Sequence, residues 1–226
     1  MISTAYSLFI VGSTALVGSL EYGRKKLLDY KTALLFGFPS IIAVFATRKY
    51  LVPIIPDPAF EIAGFIVSKS LFIMTLFAVL MVAASVSMIR SVKDGKEEDS
   101  VKKGYNVPLI FLEGAVVGLL TGLVGAGGGF LIIPALVLLA GLPMKRAVGT
   151  SLLIIGAKSL IGFMGDLSHR TIDWKFLILF TLFAVGGIFI GSALSKKVSG
   201  EKLKPAFGWF VLAMGIYVLV KEFWLK

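Results

Sequence analysis

The sequence predicts an all-α protein: a polytopic membrane helix bundle of two homologous, inverted repeats, with a Gly-broken re-entrant helix pair in the second. Three observations carry this. The 226-residue chain is 57% hydrophobic and only 16% charged, with a mean hydropathy of +0.93, whereas a soluble domain is nearer half apolar. Its apolar residues fall in charge-bounded runs of about 20, the length a helix needs to cross a bilayer core of about 30 Å. The two halves also repeat one another. The same composition excludes other classes. With no cysteine and one histidine, a disulfide framework, a thiolate site and a His-based metal centre are out, and no cofactor is expected. The net charge of +10 is spread between apolar runs rather than gathered on one soluble face, so nucleic acid is not an expected partner.

The first run, Ser3 to Leu20, lacks the basic leader of a secretory signal and continues into further spans, so it reads as a membrane helix. Lys31 to Thr47 and Ser70 to Ile89 follow, completing a first membrane repeat over residues 1–90. Residues 91–107 are polar, with charges of both signs, and form a cytoplasmic linker. Asn106 and Pro108 then read as the N-cap and first turn of a new helix. The second repeat, 108–226, opens with a long stretch, Pro108 to Leu142, broken by Gly125 to Gly129 and by Pro134, so it holds two helical pieces. Ala147 to Leu167, Trp174 to Leu194 and Pro205 to Val220 complete it, with Trp174, Trp209, Tyr217 and Trp224 as interface anchors.

A gapless shift of 144 residues aligns Ser7 with Ser151, Gly12 with Gly156, Leu16 with Leu160, Gly18 with Gly162, Asp29 with Asp173 and Lys31 with Lys175. Shared leucines are cheap in a membrane protein; two glycines, a serine and an Asp in one register are not. Internal repeats are the mark of transporter scaffolds, with substrate held between the halves near the midplane. In this register the Gly-rich stretch has no counterpart in the first half, so the first repeat is expected to be incomplete at its N-terminus. Basic residues set the topology. If Pro108 to Leu142 enters and leaves on one side, 15 of the 23 basic residues share a face and 7 take the other; a single crossing gives 13 against 9. The first arrangement is favoured, and it makes each complete repeat cross an odd number of times, which inverts the halves.

The strongest local signal is Gly118 to Pro134, GLLTGLVGAGGGFLIIP. Non-helical backbone at membrane depth survives only where it is buried in protein or lines a wet cavity. Gly127, Gly128 and Gly129 before a helix start would offer a nest of free N–H groups at a positive dipole end, an anion site. The alternative is that the glycines serve close helix packing. Thr150 and Ser151 could cap their helix or reach a ligand, and Ser7 is the serine's counterpart. Lys158 lies eleven positions into its span, where an unpaired ammonium is costly, so it should face a cavity or a partner. Ser151, seven residues earlier, shares its helical face. A structural pair between Lys158 and Glu113, an acidic residue well inside a hydrophobic stretch, is the competing reading. Asp29 and Asp173 are expected to cap the helices after them, and His169 with Arg170 to sit at a membrane interface.

The stretch from Gly118 to Leu167 resembles the signature of the TauE/SafE family of sulfite exporters, most specifically at Gly127 to Gly129, Pro134, Ala147 to Leu152 and Gly162. The resemblance is weaker in the first half, where it begins at Ala5 to Leu8. It implies a bacterial or archaeal inner-membrane transporter of small anions, often sulfite or sulfonates, and not an enzyme. The expected site is Gly127, Gly128, Gly129, Thr150, Ser151, Lys158 and Ser7, working by alternating access; the expected partners are a small anion and the lipid bilayer, with a homodimer left open. A non-transporting subunit or remnant is the alternative. A Ser151–Lys158 hydrolase is remote, because two helical turns separate the Cα atoms by about 10.5 Å.

Overall fold

A computed structural model describes residues 2–56, 60–62, 65–93, 106–124, 129–167 and 173–224. Helices α1 (Ile2–Arg24) and α2 (Tyr30–Ala46) are followed by a π-helical turn, Thr47–Leu51, and a short α3 (Val52–Ile54). Strands β1 (Phe60–Ile62) and β2 (Phe65–Val67) form a small antiparallel ribbon, pairing Phe60 with Val67. Then come α4 (Lys69–Lys93), α5 (Val107–Val124), α6 (Gly129–Leu138), α7 (Met144–Leu167), α8 (Trp174–Lys196) and α9 (Gly200–Trp224). The architecture is all-α, as expected, apart from the ribbon. Its β-branched and aromatic residues favour extended backbone, and with three residues a side it is too short for a hydropathy pattern to reveal.

Among the described residues six helices are long and apolar enough to cross a membrane: Tyr30–Ile54 taken as one, Leu71–Arg90, Val107–Val124, Met144–Met164, Trp174–Ser195 and Gly200–Glu222. The expected first span, now α1, is not among the six. Helix α6, with 10 residues, is about 15 Å long and cannot cross the core by itself.

Capping explains two helix starts. Asp29 accepts from Thr32 N at 2.9 Å and Asp173 from Phe176 N at 3.1 Å, each satisfying an N–H that the first turn leaves free. Helix α6 ends in a turn that only glycine adopts comfortably: Gly141 has φ 68°, and Leu142 N donates back to Leu136 O at 2.9 Å.

Helix packing is set by glycines. In α5, Gly114, Gly118 and Gly122 lie against Phe36, Ser40 and Thr47 of the second helix and its π-turn. Both chains advance together along this contact, so α2 and α5 run parallel with their backbones touching, the close approach that small residues at every fourth position permit. Between α1 and α7 the contacts are reciprocal. Gly12 meets Leu160 while Gly156 meets Leu16, and Gly18 meets Leu152 while Gly162 meets Leu8. Each member of one contact is the repeat partner of a member of the other, and α1 descends as α7 ascends. The packing on α2 makes α7 parallel to α2, since Thr150 and Ile154 meet Asp29 and Gly37 in ascending order. Helices α5 and α7 therefore point the same way.

The buried core gathers at this crossing. Phe36 of α2, Met81 and Met88 of α4, Ile132 and Leu136 of α6, Ala147 and Ile154 of α7 and Val211 of α9 form one cluster. Helix α8 lies at the rim, with Phe180, Leu182, Phe183 and Ile190 exposed, as a lipid-facing helix requires.

Candidate functional site

Lys158 sits on α7 midway between the two reciprocal contacts, Gly12 with Leu160 and Leu16 with Gly156. Its counterpart Thr14 occupies the same place on α1. Lys158 Nζ donates to Thr121 Oγ1 of α5 at 2.6 Å, and Thr121 Oγ1 donates in turn to Gly118 O at 3.1 Å. Thr121 is 2% exposed, and it lies three residues before the end of α5. The ammonium is thus delivered beside the glycine-rich break. Among the described residues, Lys25 pairs with Glu21 at 2.6 Å on α1, and no carboxylate pairs with Lys158. The competing pairing with Glu113 is not formed. Glu113 stands two turns earlier on α5, about 12 Å along the axis.

The anion nest falls partly outside the described residues: Gly127 and Gly128 lie there, with Gly125 and Ala126. Gly129 is the first residue of α6, and a Cβ on it would come within 3.0 Å of Ile155, one turn from Lys158 on α7. Gly129 and Ser7 share a cavity of about 470 Å³ that opens between α1, α4, α6, α7 and α9. Ser159, next to Lys158, lines it too, and Phe77, Phe130, Ile155 and Phe207 make its walls largely apolar. A mostly apolar pocket with a few hydroxyls and helix-terminal N–H groups is suited to a small ligand whose polar end needs orienting.

Thr150 and Ser151 are brought to a different place. Thr150 Oγ1 is fully buried and accepts from Asp29 N at 3.1 Å, tying α7 to the α1–α2 connection. Ser151 Oγ donates to Val148 O of its own helix at 2.8 Å, the local bond that short hydroxyl side chains make on helices. Neither lines the cavity. The shared face of Ser151 and Lys158 does not converge on one point, because the long lysine reaches across to α5 while the serine stays on its own backbone. His169 and Arg170 lie outside the described residues.

Three contributors were not picked out from sequence. Thr121 is a hydroxyl between Gly118 and Gly122 in a helix whose other polar side chain is Glu113, and that isolation is the signal that could have found it. Ser159 stands beside an intramembrane lysine. Tyr6 is the repeat counterpart of Thr150, and Asp173 N donates to Tyr6 OH at 2.8 Å, just as Asp29 N donates to Thr150. The two connections are held by the same bond from opposite halves.

Six helices long and apolar enough to cross a membrane, with a lysine carried within one of them, mark a multi-spanning membrane protein. The chain belongs to the family described as sulfite exporter TauE/SafE, whose family model matches residues 1–218. Similar proteins carry the name "Probable membrane transporter protein". One from Xylella fastidiosa is 31% identical over 153 residues, 65% of this chain and 58% of that protein. YunE of Bacillus subtilis is 28% identical over 212 residues, covering 87% of this chain and 72% of its own length. One from the archaeon Methanocaldococcus jannaschii is 35% identical over 118 residues, 50% of this chain and 44% of that protein. The chain thus spans less than two thirds of the length of the Xylella relative. No solved structure matches it significantly. Neither the family nor these names describe an enzyme.

Proposed function

We propose that this protein carries a small anion across a cell membrane by alternating access, and that the anion is sulfite, a sulfonate or a related sulfur oxyanion. The observation that carries the reading is Lys158: an ammonium inside a membrane helix, bonded to the Thr121 hydroxyl with no carboxylate paired to it. A buried cation without an anion is costly, and an anionic substrate removes that cost. The Gly129 end of α6 and the hydroxyls of Ser7 and Ser159 supply donors at the adjoining cavity, and Gly127 and Gly128 precede that helix end in sequence. Thr150, with Ser151 beside it in the same turn, serves the site by keeping α7 in register with α2. Sulfur oxyanions are the preferred class because the family is described as sulfite exporters. The reciprocal contacts of α1 with α7 support inverted halves, and the position of Thr14 and Lys158 at their centre supports a substrate site near the midplane, where such transporters hold substrate.

Uptake of radiolabelled sulfite into proteoliposomes tests this. Wild-type protein should give protein-dependent uptake, and Lys158→Met should abolish it while leaving the protein folded. Unchanged uptake in that variant would remove Lys158 from the site.

A further inference from the structure

The buried acid of α5 has no place in the anion site. Glu113 is 7% exposed, and its Oε2 is buried with no hydrogen-bond partner. It lies on the stripe Glu113, Val117, Thr121, all buried on one side of α5, so its carboxyl and the bond that holds Lys158 share a face two turns apart. Among the described residues no cation forms an ion pair with it, and the charges of the elements packed on α5 lie at their ends. Helix α2 carries Tyr30 and Lys31 only at its start, the π-turn carries Arg48, Lys49 and Tyr50 beyond Gly122, and α4 carries Lys69, Arg90 and Lys93 at its ends. Helix α6 has no titratable side chain, and Lys158 of α7 is bonded to Thr121. The constant offset between α2 and α5 puts Glu113 level with Leu35. Pro39, having no N–H, leaves the Leu35 carbonyl without its regular helix bond.

From this geometry we propose that Glu113 is the proton-binding group of the transport cycle, so that the protein moves one proton together with each monoanion. The proposal rests on the anion reading of Lys158. The physical reason is charge balance inside the membrane. With anion bound at Lys158 and a proton on Glu113, the two sites sum to zero; with both sites empty, the ammonium and the carboxylate again sum to zero. A carrier holding only the anion or only the proton keeps an uncompensated charge in the bilayer, which is costly and suppresses its reorientation. The proton enters from water on one side, binds the carboxylate and leaves to water on the other; no bond other than the carboxyl O–H is made or broken.

The test uses the whole chain in proteoliposomes loaded with a pH-sensitive dye. Methanesulfonate is the probe, a monoanion with no proton of its own to give near neutral pH. An inward methanesulfonate gradient should acidify the lumen, and an outside-acid gradient should raise accumulation about tenfold per pH unit. Glu113→Gln imitates the protonated acid, so it should keep methanesulfonate exchange within about twofold of wild type and lose both proton effects; Glu113→Asp should restore them. Proton movement equal to wild type in Glu113→Gln, or wild-type uptake indifferent to pH gradient, would overturn the proposal. Infrared spectra of the reconstituted protein decide independently of substrate. A protonated carboxyl band that grows in as the pH is lowered should be missing in Glu113→Gln and return in Glu113→Asp; a spectrum unchanged by Glu113→Gln overturns the proposal even if methanesulfonate is not carried. Lys158→Met separates the two readings, since normal anion uptake in that variant refutes the anion site and leaves the carboxyl band to judge Glu113.

Discussion

Replacing Gly118 with alanine adds one methyl group at the tightest described seam of the bundle, and the structure allows its cost to be worked out. A Cβ built there lies 2.5 Å from Ser40 O and 2.7 Å from Ser40 Cα. Ordinary contact is about 3.5 Å, so the overlap is about 1 Å. Both obstructing atoms are backbone, so no rotamer relieves the clash and α2 must move away from α5. A gap of that size forfeits a quarter to a half of the dispersion energy of each neighbouring contact, and overpacking of a well-fitted interior costs about 1–3 kcal/mol. We expect Gly118→Ala to lose about 2–3 kcal/mol. Gly187→Ala on α8 is the control: nothing lies within 4 Å of its Cβ position, so the variant should be neutral or gain up to about 1 kcal/mol in helix propensity. Equilibrium unfolding of the purified variants in mixed detergent micelles, followed by circular dichroism, measures the difference. Equal stabilities for the two variants, within about 0.5 kcal/mol, would refute the argument that these glycines set the α2–α5 approach.

Tyr6→Phe and Thr150→Val remove repeat-equivalent hydroxyls and should each cost about 1 kcal/mol by the same unfolding assay, with effects of similar size. Gly141→Ala forces a side chain into left-handed backbone at φ 68° and should cost about 1–2 kcal/mol, whereas Gly141→Asn should cost less. Thr121→Val takes away the partner of Lys158. It should weaken sulfite uptake through a raised KM, equivalent to about 1.5–3 kcal/mol for a hydrogen bond to a charged group, with Thr121→Ser close to wild type. Asp29→Ala removes the cap from α2 and should destabilise by about 1 kcal/mol.

How much could be read in advance differs between the fold and the site. Composition and run length are local quantities, and they announce membrane helices because backbone in lipid has no other economical way to satisfy its own hydrogen bonds. The shift that pairs Gly12 with Gly156 and Asp29 with Asp173 is equally a property of the linear chain, and the caps and reciprocal contacts follow it. The Gly-rich break, too, marked the boundary between α5 and α6. The ribbon from Phe60 to Val67 escaped because three-residue strands leave no period to detect. The place of α1 in the bundle escaped for another reason: it comes from glycine contacts with α7, which hydropathy does not record.

For the site, sequence alone determined that Lys158 is buried in a span and that hydroxyls and glycines stand near it in the chain. Only the tertiary structure decided where each side chain spends its bonds. Lys158 reaches Thr121 rather than Glu113 because α5 and α7 run parallel with the threonine close to the lysine's level and the acid two turns away. Thr150 serves Asp29, Tyr6 serves Asp173, and Ser7 joins Gly129 and Ser159 at the cavity. The physical reason is one of range. Transfer from water to lipid is a sum over residues and can be added up along the chain, while a hydrogen bond exists only within about 3 Å and is fixed by the rotation and rise of two helices far apart in sequence.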